Sequence, residues 1–289
     1  MTTKSTHPLE AVFHGIFFAC GALSVVFVIG ITAYLIISGL PAISQVGLID
    51  FLLGQVWNPG KEQFGILPFI LTSVYGTIGA TLLGLPLGLL TALFLSKFSS
   101  RRVSRVIRSA VELLAGIPSV VYGLVGMIVL VPAIQHAFNL ASGATLAAAI
   151  LVLTIMILPY IVNVSVTALD AVPREYEEGS LALGATDTET YFKISLRAAR
   201  SGVATAIVQG IGRALGEAMA IIMVAGTVAN MPELFESVRF LTTAIVSEMS
   251  YAPYGSLQRE ALFSIALVLF LFIVAVNVLL NLIVRRKED

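Results

Sequence analysis

Residues 113–169 read LLAGIPSVVYGLVGMIVLVPAIQHAFNLASGATLAAAILVLTIMILPYIVNVSVTAL and contain no Asp, Glu, Lys or Arg. A helix needs about 20 apolar residues to cross the hydrocarbon core of a bilayer, so this stretch is long enough for two crossings joined by a short turn. Residues 11–49 and 63–96 are also free of charge. The pattern predicts an all-α, polytopic membrane protein.

The composition favours the same class. Hydrophobic residues make up 57% of the 289 residues and charged residues only 12%, whereas soluble domains are about a quarter charged. The 17 basic and 17 acidic residues cancel, which gives no electrostatic reason to expect a nucleic-acid partner. Cys20 is the single cysteine, so an intrachain disulfide is excluded.

Length and apolar periodicity predict a single transmembrane domain over residues 1–289 with six helices, at about 12–37, 66–95, 113–135, 144–168, 202–228 and 261–284. The first is too long for the apolar part of a signal peptide and is expected to be retained. Segments on one side of the membrane, which include both termini, carry 13 Lys and Arg, and those on the other side carry three. Because basic segments stay in the cytoplasm, both termini are predicted to be cytoplasmic.

Helix-breaking residues occur inside the predicted spans. Pro86, Pro118 and Pro159 interrupt the second, third and fourth, and Gly212 and Gly216 stand four residues apart in the fifth. Proline frees backbone groups that neighbouring helices must satisfy, and a small-residue pair lets helices pack closely. The residues are consistent with ordinary kinked packing or with irregular backbone that lines a transport path.

The predicted cytoplasmic loop, residues 170–200, has the pattern of helix, turn, helix. Pro173 suits a first helical turn, and Thr186 with Glu189 forms a capping box for a second helix over residues 188–199. Gly184 lies between the two helices and is expected to provide the turn. Two short helices outside the bilayer cannot bury their apolar residues alone, so the loop packs either on a partner protein or on the spans of this chain.

The same loop resembles the coupling loop of ATP-binding-cassette (ABC) importers, whose pattern is E-A-A-x-x-x-G, nine residues, then I-x-L-P. The chain matches this pattern in register at four positions, Glu178, Gly184, Ile194 and Leu196. It departs from it at three, where Gly179, Ser180 and Arg197 replace two alanines and the proline. The resemblance implies that the four matching residues contact a cytoplasmic ATPase subunit and transmit its movements.

Other segments between residues 56 and 271 are similar to permeases of phosphate-importing ABC transporters, namely Trp57-Asn-Pro59, Phe64-Gly-Ile-Leu-Pro68, Leu114-Ala-Gly-Ile-Pro118, Gly212-Arg213-Ala-Leu-Gly216-Glu217 and Arg239-Phe-Leu-Thr-Thr. The similarity is greatest to the PstC type of subunit. It implies the type I importer permease fold in the cytoplasmic (inner) membrane. It also implies three kinds of partner: a second homologous permease, two ATP-binding subunits and an external phosphate-binding protein.

The chain itself lacks a motif for ATP hydrolysis. A P-loop requires G-x-x-x-x-G-K-[ST], and the only Gly-Lys pair, Gly60-Lys61, is followed by Glu62. The three histidines do not have the spacing of metal ligands, and no cofactor is expected. The sequence therefore predicts a subunit that is not an enzyme, with ATP hydrolysis in a partner.

Strong charges occur within one predicted span only, as Arg213 and Glu217. Thr205 and Gln209 precede them at intervals of four residues, which predicts a polar stripe down one helix face. An arginine at mid-membrane suits an oxyanion because its planar guanidinium donates paired hydrogen bonds. A structural ion pair, or a contact to another subunit, is the alternative interpretation of these residues.

The sequence as a whole thus predicts a permease subunit that moves inorganic phosphate. Transport of another oxyanion such as molybdate or sulfate, an ion-coupled carrier that acts alone, and a membrane scaffold or sensor are alternatives. By resemblance, the external segments 38–65 and 230–260 dock the substrate-binding protein. Anchoring of Trp57, Tyr251 and Tyr254 at the membrane interface accounts for those aromatic residues equally well.

Overall fold

The computed structural model describes residues 8–285, with side chains from residue 12 onward and up to residue 280, and for Leu282. Its helices, in chain order, are α1 (Pro8–Val46), α2 (Leu48–Leu53), α3 (Leu67–Leu93), α4 (Arg101–Gly116), α5 (Ser119–Val125), α6 (Val131–Phe138), α7 (Leu146–Asp170), α8 (Arg174–Ala182), α9 (Asp187–Thr190), α10 (Leu196–Ala198), α11 (Arg200–Leu215), α12 (Met219–Val224), α13 (Leu241–Glu248) and α14 (Leu257–Arg285). Wider π-helical turns continue α3, join α5 to α6 and join α9 to α10, over Phe94–Phe98, Gly126–Leu130 and Tyr191–Ser195. A two-stranded antiparallel hairpin, β1 (Trp57–Asn58) and β2 (Gln63–Phe64), precedes α3.

Five helical segments of the described chain are long and apolar enough to cross a bilayer, Val12–Val46, Leu67–Phe98, Ser119–Phe138, Leu146–Asp170 and Leu257–Leu280. They correspond to the first, second, third, fourth and sixth predicted spans. The all-α, polytopic fold predicted from the sequence is therefore confirmed.

The fifth predicted span is divided into two helices. Helix α11 ends at Leu215 and α12 begins at Met219, so the three residues between them leave the helical path. Neither half is long enough to cross a bilayer alone, since a crossing takes about 20 residues. The count of six spans is for this reason not confirmed and stays a prediction for the α11–α12 pair.

The third span begins at residue 119, later than the predicted residue 113. Residues 113–116 belong to α4, a strongly amphipathic helix that carries four arginines. The chain then leaves the helix at Ile117, whose ψ of 128° is extended. Pro118 explains the break, because the residue before a proline is pushed out of the α-helical region.

The centre of the bundle is the contact between α3 and α7. Small residues recur every fourth position on α3, and all four are buried: Gly76, Ala80, Gly84 and Gly88. Ile157 of α7 packs over Gly84 and Ile161 over Gly88, so the two helices run side by side in the same direction. Helix α11 packs on the same isoleucines through Gly210. By contrast, the space beside Gly212 is open, and among the described residues no other helix lies within 4 Å of the space beside Gly212 or Gly216.

Helix α1 lies apart from this bundle for much of its length. Every side chain from residue 12 to residue 31 is exposed. Contact begins near Tyr34, which meets Phe263 of α14 edge to face, and continues at Gly39, which faces the backbone of Phe263. The first half of α1 therefore offers an apolar surface to lipid or to another subunit.

The hairpin end of the bundle is held by polar contacts to Glu248. The indole Nε1 of Trp57 donates to both carboxylate oxygens of Glu248 at 3.0 Å, and Arg239 forms an ion pair with the same carboxylate. Trp57 is buried, at 9% exposure, so the interpretation of Trp57 as an interfacial anchor is wrong. Tyr251 and Tyr254 remain highly exposed.

The packing of α3 on α7 predicts that Gly88→Ala destabilises the fold. The added Cβ would lie 2.6 Å from Cγ2 of Ile161, a stiff β-branched side chain. Overpacking of this kind costs about 1–3 kcal/mol, and we expect a lower midpoint of thermal unfolding in detergent. Gly21→Ala, where no atom lies within 4 Å, is the control and should unfold as the parent does. Equal midpoints for the two variants would contradict the packing.

Candidate functional site

The loop between α7 and α11 has the predicted helix–turn–helix structure. Helix α8 ends at Ala182, and Gly184 adopts a φ of +87°, a left-handed conformation that favours glycine. Both halves of the capping box are formed: the Thr186 hydroxyl accepts from the Glu189 amide, and the Glu189 carboxylate accepts from the Thr186 amide. The Lys193 ammonium, together with Thr186, holds the pKa of Glu189 below its ordinary value.

The turn of this loop is bare. Leu183 is 91% exposed and no atom lies within 4 Å of the space beside Gly184. Of the other residues that match the importer motif, Glu178 and Ile194 are exposed and Leu196 is half-buried against the neighbouring helices. The described transmembrane helices do not cover the apolar turn of the loop. A partner surface therefore explains the exposed turn better than packing within this chain does.

Glu177 fixes the loop to the end of α3. Its carboxylate lies 2.5 Å from the Lys97 ammonium and accepts a hydrogen bond of 2.7 Å from the Ser195 hydroxyl. Beside this pair, the rings of Phe98 and Tyr191 meet edge to face with centroids 5.1 Å apart. The pairing of Lys97 with Glu177 could not be predicted from the sequence, since 80 residues separate them and no local pattern joins them.

A second link ties the end of α7 to α4. Arg108 donates from Nη1 to Asp170 at 2.9 Å, and the Ser96 hydroxyl donates to the other oxygen of Asp170 at 2.5 Å. The loop therefore begins at a residue that is fixed to two other helices. Together with the Glu177 contacts, this link joins both ends of the loop's first half to α3 and α4.

Arg213 and Glu217 form the ion pair expected in the middle of the bundle. Nη2 of Arg213 lies 3.3 Å from Oε2 of Glu217. The Glu217 side chain is 4% exposed and that of Arg213 is 37% exposed. The carboxylate is thus enclosed by the protein, whereas part of the guanidinium faces outward.

Glu217 also satisfies the backbone where α11 breaks. Its Oε1 accepts from the Ala220 amide at 3.0 Å in the first turn of α12, and its own carbonyl accepts from the Thr242 hydroxyl at 2.7 Å. The break turns Glu217 inward, so it does not continue the stripe of Thr205, Gln209 and Arg213. Thr205 and Gln209 are both exposed on α11.

Arg213 has donor capacity to spare. Its Cζ lies 5.9 Å from the centre of the Tyr160 ring, within the range of a cation–π contact. Its Nε is buried and has no acceptor among the residues that the structure describes. Tyr160 is a site residue that sequence analysis did not identify, because only the fold brings α7 beside α11.

A bundle of apolar helices with a divided, charge-bearing helix at its centre and an exposed helix–turn–helix loop defines a membrane subunit of a transport assembly. Residues 84–289 match the family described as the inner membrane component of binding-protein-dependent transport systems, and the chain belongs to that family.

Relatives are similar along nearly the whole chain. A probable ABC transporter permease of Bacillus subtilis, YqgH, is 39% identical over 93% of this chain and 89% of that protein. The phosphate transport system permease protein PstC of Mesorhizobium japonicum is 32% identical over 90% of this chain and 85% of its own length. PstC of Haemophilus influenzae is 33% identical over 83% of this chain and 82% of its own length.

Solved structures share the fold. An inward-facing structure of the MetNI methionine ABC transporter superposes with a TM-score of 0.62 at 19% identity, covering 76% of this chain and 95% of that one. A structure of an amino acid ABC transporter gives a TM-score of 0.54 at 22% identity, and the match covers 76% of this chain and 92% of that one. At this level of identity the likeness concerns the fold alone.

The contacts of Glu177 predict that Glu177→Gln loosens α8. The change leaves Lys97, whose side chain is 11% exposed, without its anionic partner, and an unpaired group of this kind costs about 1–3 kcal/mol. We expect hydrogen exchange of the α8 amides to become about tenfold faster.

Glu175→Gln is the matched control for this measurement. Glu175 lies two residues earlier on the same helix and is exposed. Hydrogen exchange of the α8 amides in Glu175→Gln should match that of the parent. Equal protection of these amides in Glu175→Gln and Glu177→Gln would show that the Glu177 contacts do not fix the loop.

Proposed function

We propose that this chain is a permease subunit of an ATP-driven importer of inorganic phosphate. Family membership supports a transport role, and relatives named as phosphate transport permeases at 32% and 33% identity support the substrate. The chain is not itself an enzyme in this proposal, because it holds no P-loop sequence and ATP is hydrolysed by a partner.

The ATP-binding partner, present in two copies, contacts the loop between α7 and α11. Leu183 and Gly184 form the exposed tip of this loop, and Glu178 and Ile194, on the helical segments before and after it, are also exposed. The links from Glu177 to Lys97 and from Asp170 to Arg108 carry a displacement of the tip into α3, α4 and α7. Closure of the ATPase thereby moves the membrane helices as one body.

A second, homologous permease completes the path. The exposed face of α11 carries Thr205, Gln209 and part of Arg213, polar groups that are costly against lipid but suitable against a partner or an aqueous path. An external phosphate-binding protein delivers substrate to segments 38–65 and 230–260, where Tyr251 and Tyr254 are exposed. Both termini lie in the cytoplasm, as the distribution of basic residues predicts.

The substrate contact in the path is Arg213, and the observation that carries this step is the outward-facing part of its guanidinium. The Arg213 side chain is 37% exposed, while its Nη2 lies 3.3 Å from Oε2 of Glu217. A phosphate oxygen that reaches the exposed part is bound by charge-assisted hydrogen bonds.

Glu217 makes the contact selective. Its Oε1 already accepts a hydrogen bond from the Ala220 amide and its Oε2 lies 3.3 Å from Nη2 of Arg213, and a carboxylate has further lone pairs. Phosphate near neutral pH retains a proton that it donates to such a carboxylate, whereas sulfate has none to donate. The pair thus attracts protonated phosphate and repels a fully ionised anion.

These roles predict that Arg213→Lys and Glu217→Gln lower phosphate uptake by about tenfold or more at normal protein levels. The first keeps the positive charge but loses the planar guanidinium donors, and the second removes the negative charge; a hydrogen bond to a charged group contributes about 1.5–3 kcal/mol. Uptake of labelled phosphate into membrane vesicles that contain the assembled transporter measures the effect. Arg102→Lys, a change at an exposed arginine on α4, is the control and should keep the parent rate.

The two variants also separate transport from a structural role. Parent uptake rates in both would leave Arg213 and Glu217 as a structural ion pair only. Competition by sulfate should increase in Glu217→Gln if the carboxylate rejects ionised anions. Phosphate uptake by the purified chain without any ATPase would instead favour an ion-coupled carrier.

The turn at Gly184 predicts that Gly184→Asp uncouples transport from ATP hydrolysis while the protein remains inserted. A side chain at φ +87° is strained by about 1–2 kcal/mol and projects from the exposed tip toward the ATPase. We expect at least a tenfold loss of uptake and less ATPase in co-purification with the permease. Normal uptake would exclude this loop as the coupling element.

Gly255→Asp is the matched control for this substitution. Gly255 has a φ of +75° and open space beside it, but lies in the external segment. The backbone strain is therefore similar while the ATPase contact is untouched. This variant should retain the ATPase in co-purification.

A further inference from the structure

A cleft between α4 and the end of α3 lies on the same side of the membrane as the helix–turn–helix loop. It has a volume of about 460 Å³ and is lined by three arginines, four serines, Leu95 and Glu112. Arginine and serine both donate hydrogen bonds, and the arginines outnumber the one carboxylate that lines the cleft. The cleft thus has the chemistry of an anion site.

Part of this lining is already engaged within the protein. Arg108 donates to Asp170 and, through Nε, to the Ser104 hydroxyl at 2.9 Å. Three of the four serines donate their hydroxyl hydrogens to Asp170 or to the Leu95 carbonyl. These residues form a fixed wall and have little capacity left for a ligand.

Three donors in the cleft are not engaged in this way. Arg101, Arg105 and Ser109 follow one another at intervals of four on α4, so their side chains lie along one stripe. Within the described part of the chain, neither Arg101 nor Arg105 forms an ion pair. Two cations at this spacing repel each other, and an anion bound between them removes the repulsion.

A neighbouring face of α4 places the cleft at the membrane surface. Val106 and Leu113 are apolar and highly exposed there, whereas Ile107 and Val111, on a further face, pack against the core of the bundle. A helix with an exposed apolar face and a basic face lies in the interface, where its arginines are at the level of the lipid headgroups and of the adjacent water.

We propose that Arg101, Arg105 and Ser109 form a binding site for a phosphate group. Two guanidinium groups and one hydroxyl on one stripe of α4 offer directed donors to the anion, and Glu112, which also lines the cleft, limits the negative charge that the site accepts. The phosphate belongs either to the headgroup of an anionic phospholipid or to inorganic phosphate in the adjacent water. The site is on α4 and does not depend on the nature of the transported substrate.

Binding to the full-length chain in lipid nanodiscs tests this site in two arms. In the first, discs contain phosphatidylcholine and phosphatidylglycerol, and native mass spectrometry counts the phosphatidylglycerol that remains bound after the discs are replaced by detergent. In the second, discs contain phosphatidylcholine alone, and equilibrium dialysis measures the binding of labelled inorganic phosphate.

The test variant is Arg101→Gln/Arg105→Gln, and the control is Arg102→Gln/Arg174→Gln. The control removes the same charge from exposed arginines on the same side of the membrane that do not line the cleft. All four arginines are exposed, so neither pair of changes disturbs the core. A phosphate site at Arg213 contributes equally to both variants, and only the difference between them reports on the cleft.

We expect the test variant to bind one of the two ligands about tenfold more weakly than the control does. A loss in the phosphatidylglycerol arm identifies a lipid headgroup, and a loss in the dialysis arm identifies free phosphate. Arg101→Lys/Arg105→Lys keeps the charge without the paired donors and should bind at an intermediate level. Equal binding by the test and control variants in both arms would overturn the proposal.

Discussion

A helix that breaks inside a bilayer must find partners for the backbone groups that the break sets free, because no water is present to receive them. In the predicted membrane-spanning position of α11 and α12, the break between the two helices meets this constraint. The Glu217 carboxylate accepts from the Ala220 amide, and the Thr242 hydroxyl donates to the Glu217 carbonyl. Since Thr242 is in the first turn of α13, the break obliges α13 to pack inside the bundle. The segment that leads to α13 is fixed in turn by Phe240, which fills the space beside Gly76.

Charges hold the two ends of the bundle, whereas its middle is held by apolar packing. At one end Lys97 with Glu177 and Arg108 with Asp170 join α3, α4, α7 and the loop. At the other end the Glu248 carboxylate binds Trp57 of the hairpin, Arg239 before α13 and Gln258 at the start of α14. In the middle of the bundle, the small glycine and alanine residues of α3 let α7 approach closely. Packed cores have discrete arrangements, so a bundle of this kind moves by shifts of whole helices rather than by gradual bending.

The sequence predicted what depends on neighbours along the chain. The capping box of Thr186 and Glu189, the turn at Gly184 and the apolar spans are local patterns, and the structure has each of them. The prediction failed at one local signal, the break before Pro118, and wherever a second helix decides the contact. The start of the third span was placed too early, because Leu113 and Leu114 are as apolar as the span that follows and only the break at Ile117 separates them. The contacts of Glu177 and Tyr160 join distant segments, and no local pattern contains them.

Arg213 limits what can lie against the exposed face of α11 more than any other residue of that face does. Thirteen residues after the start of α11, it lies about 20 Å along the helix axis, and it contacts Tyr160 near the middle of α7. An arginine at the centre of a bilayer costs about 2.5–3.5 kcal/mol on insertion scales, and its pair with Glu217 occupies only one edge of the guanidinium. The face that Arg213 shares with Thr205 and Gln209 is therefore not a stable surface against lipid. A second subunit or an aqueous path removes this cost, which supports the proposal that the exposed side of α11 is an inner surface of a larger assembly.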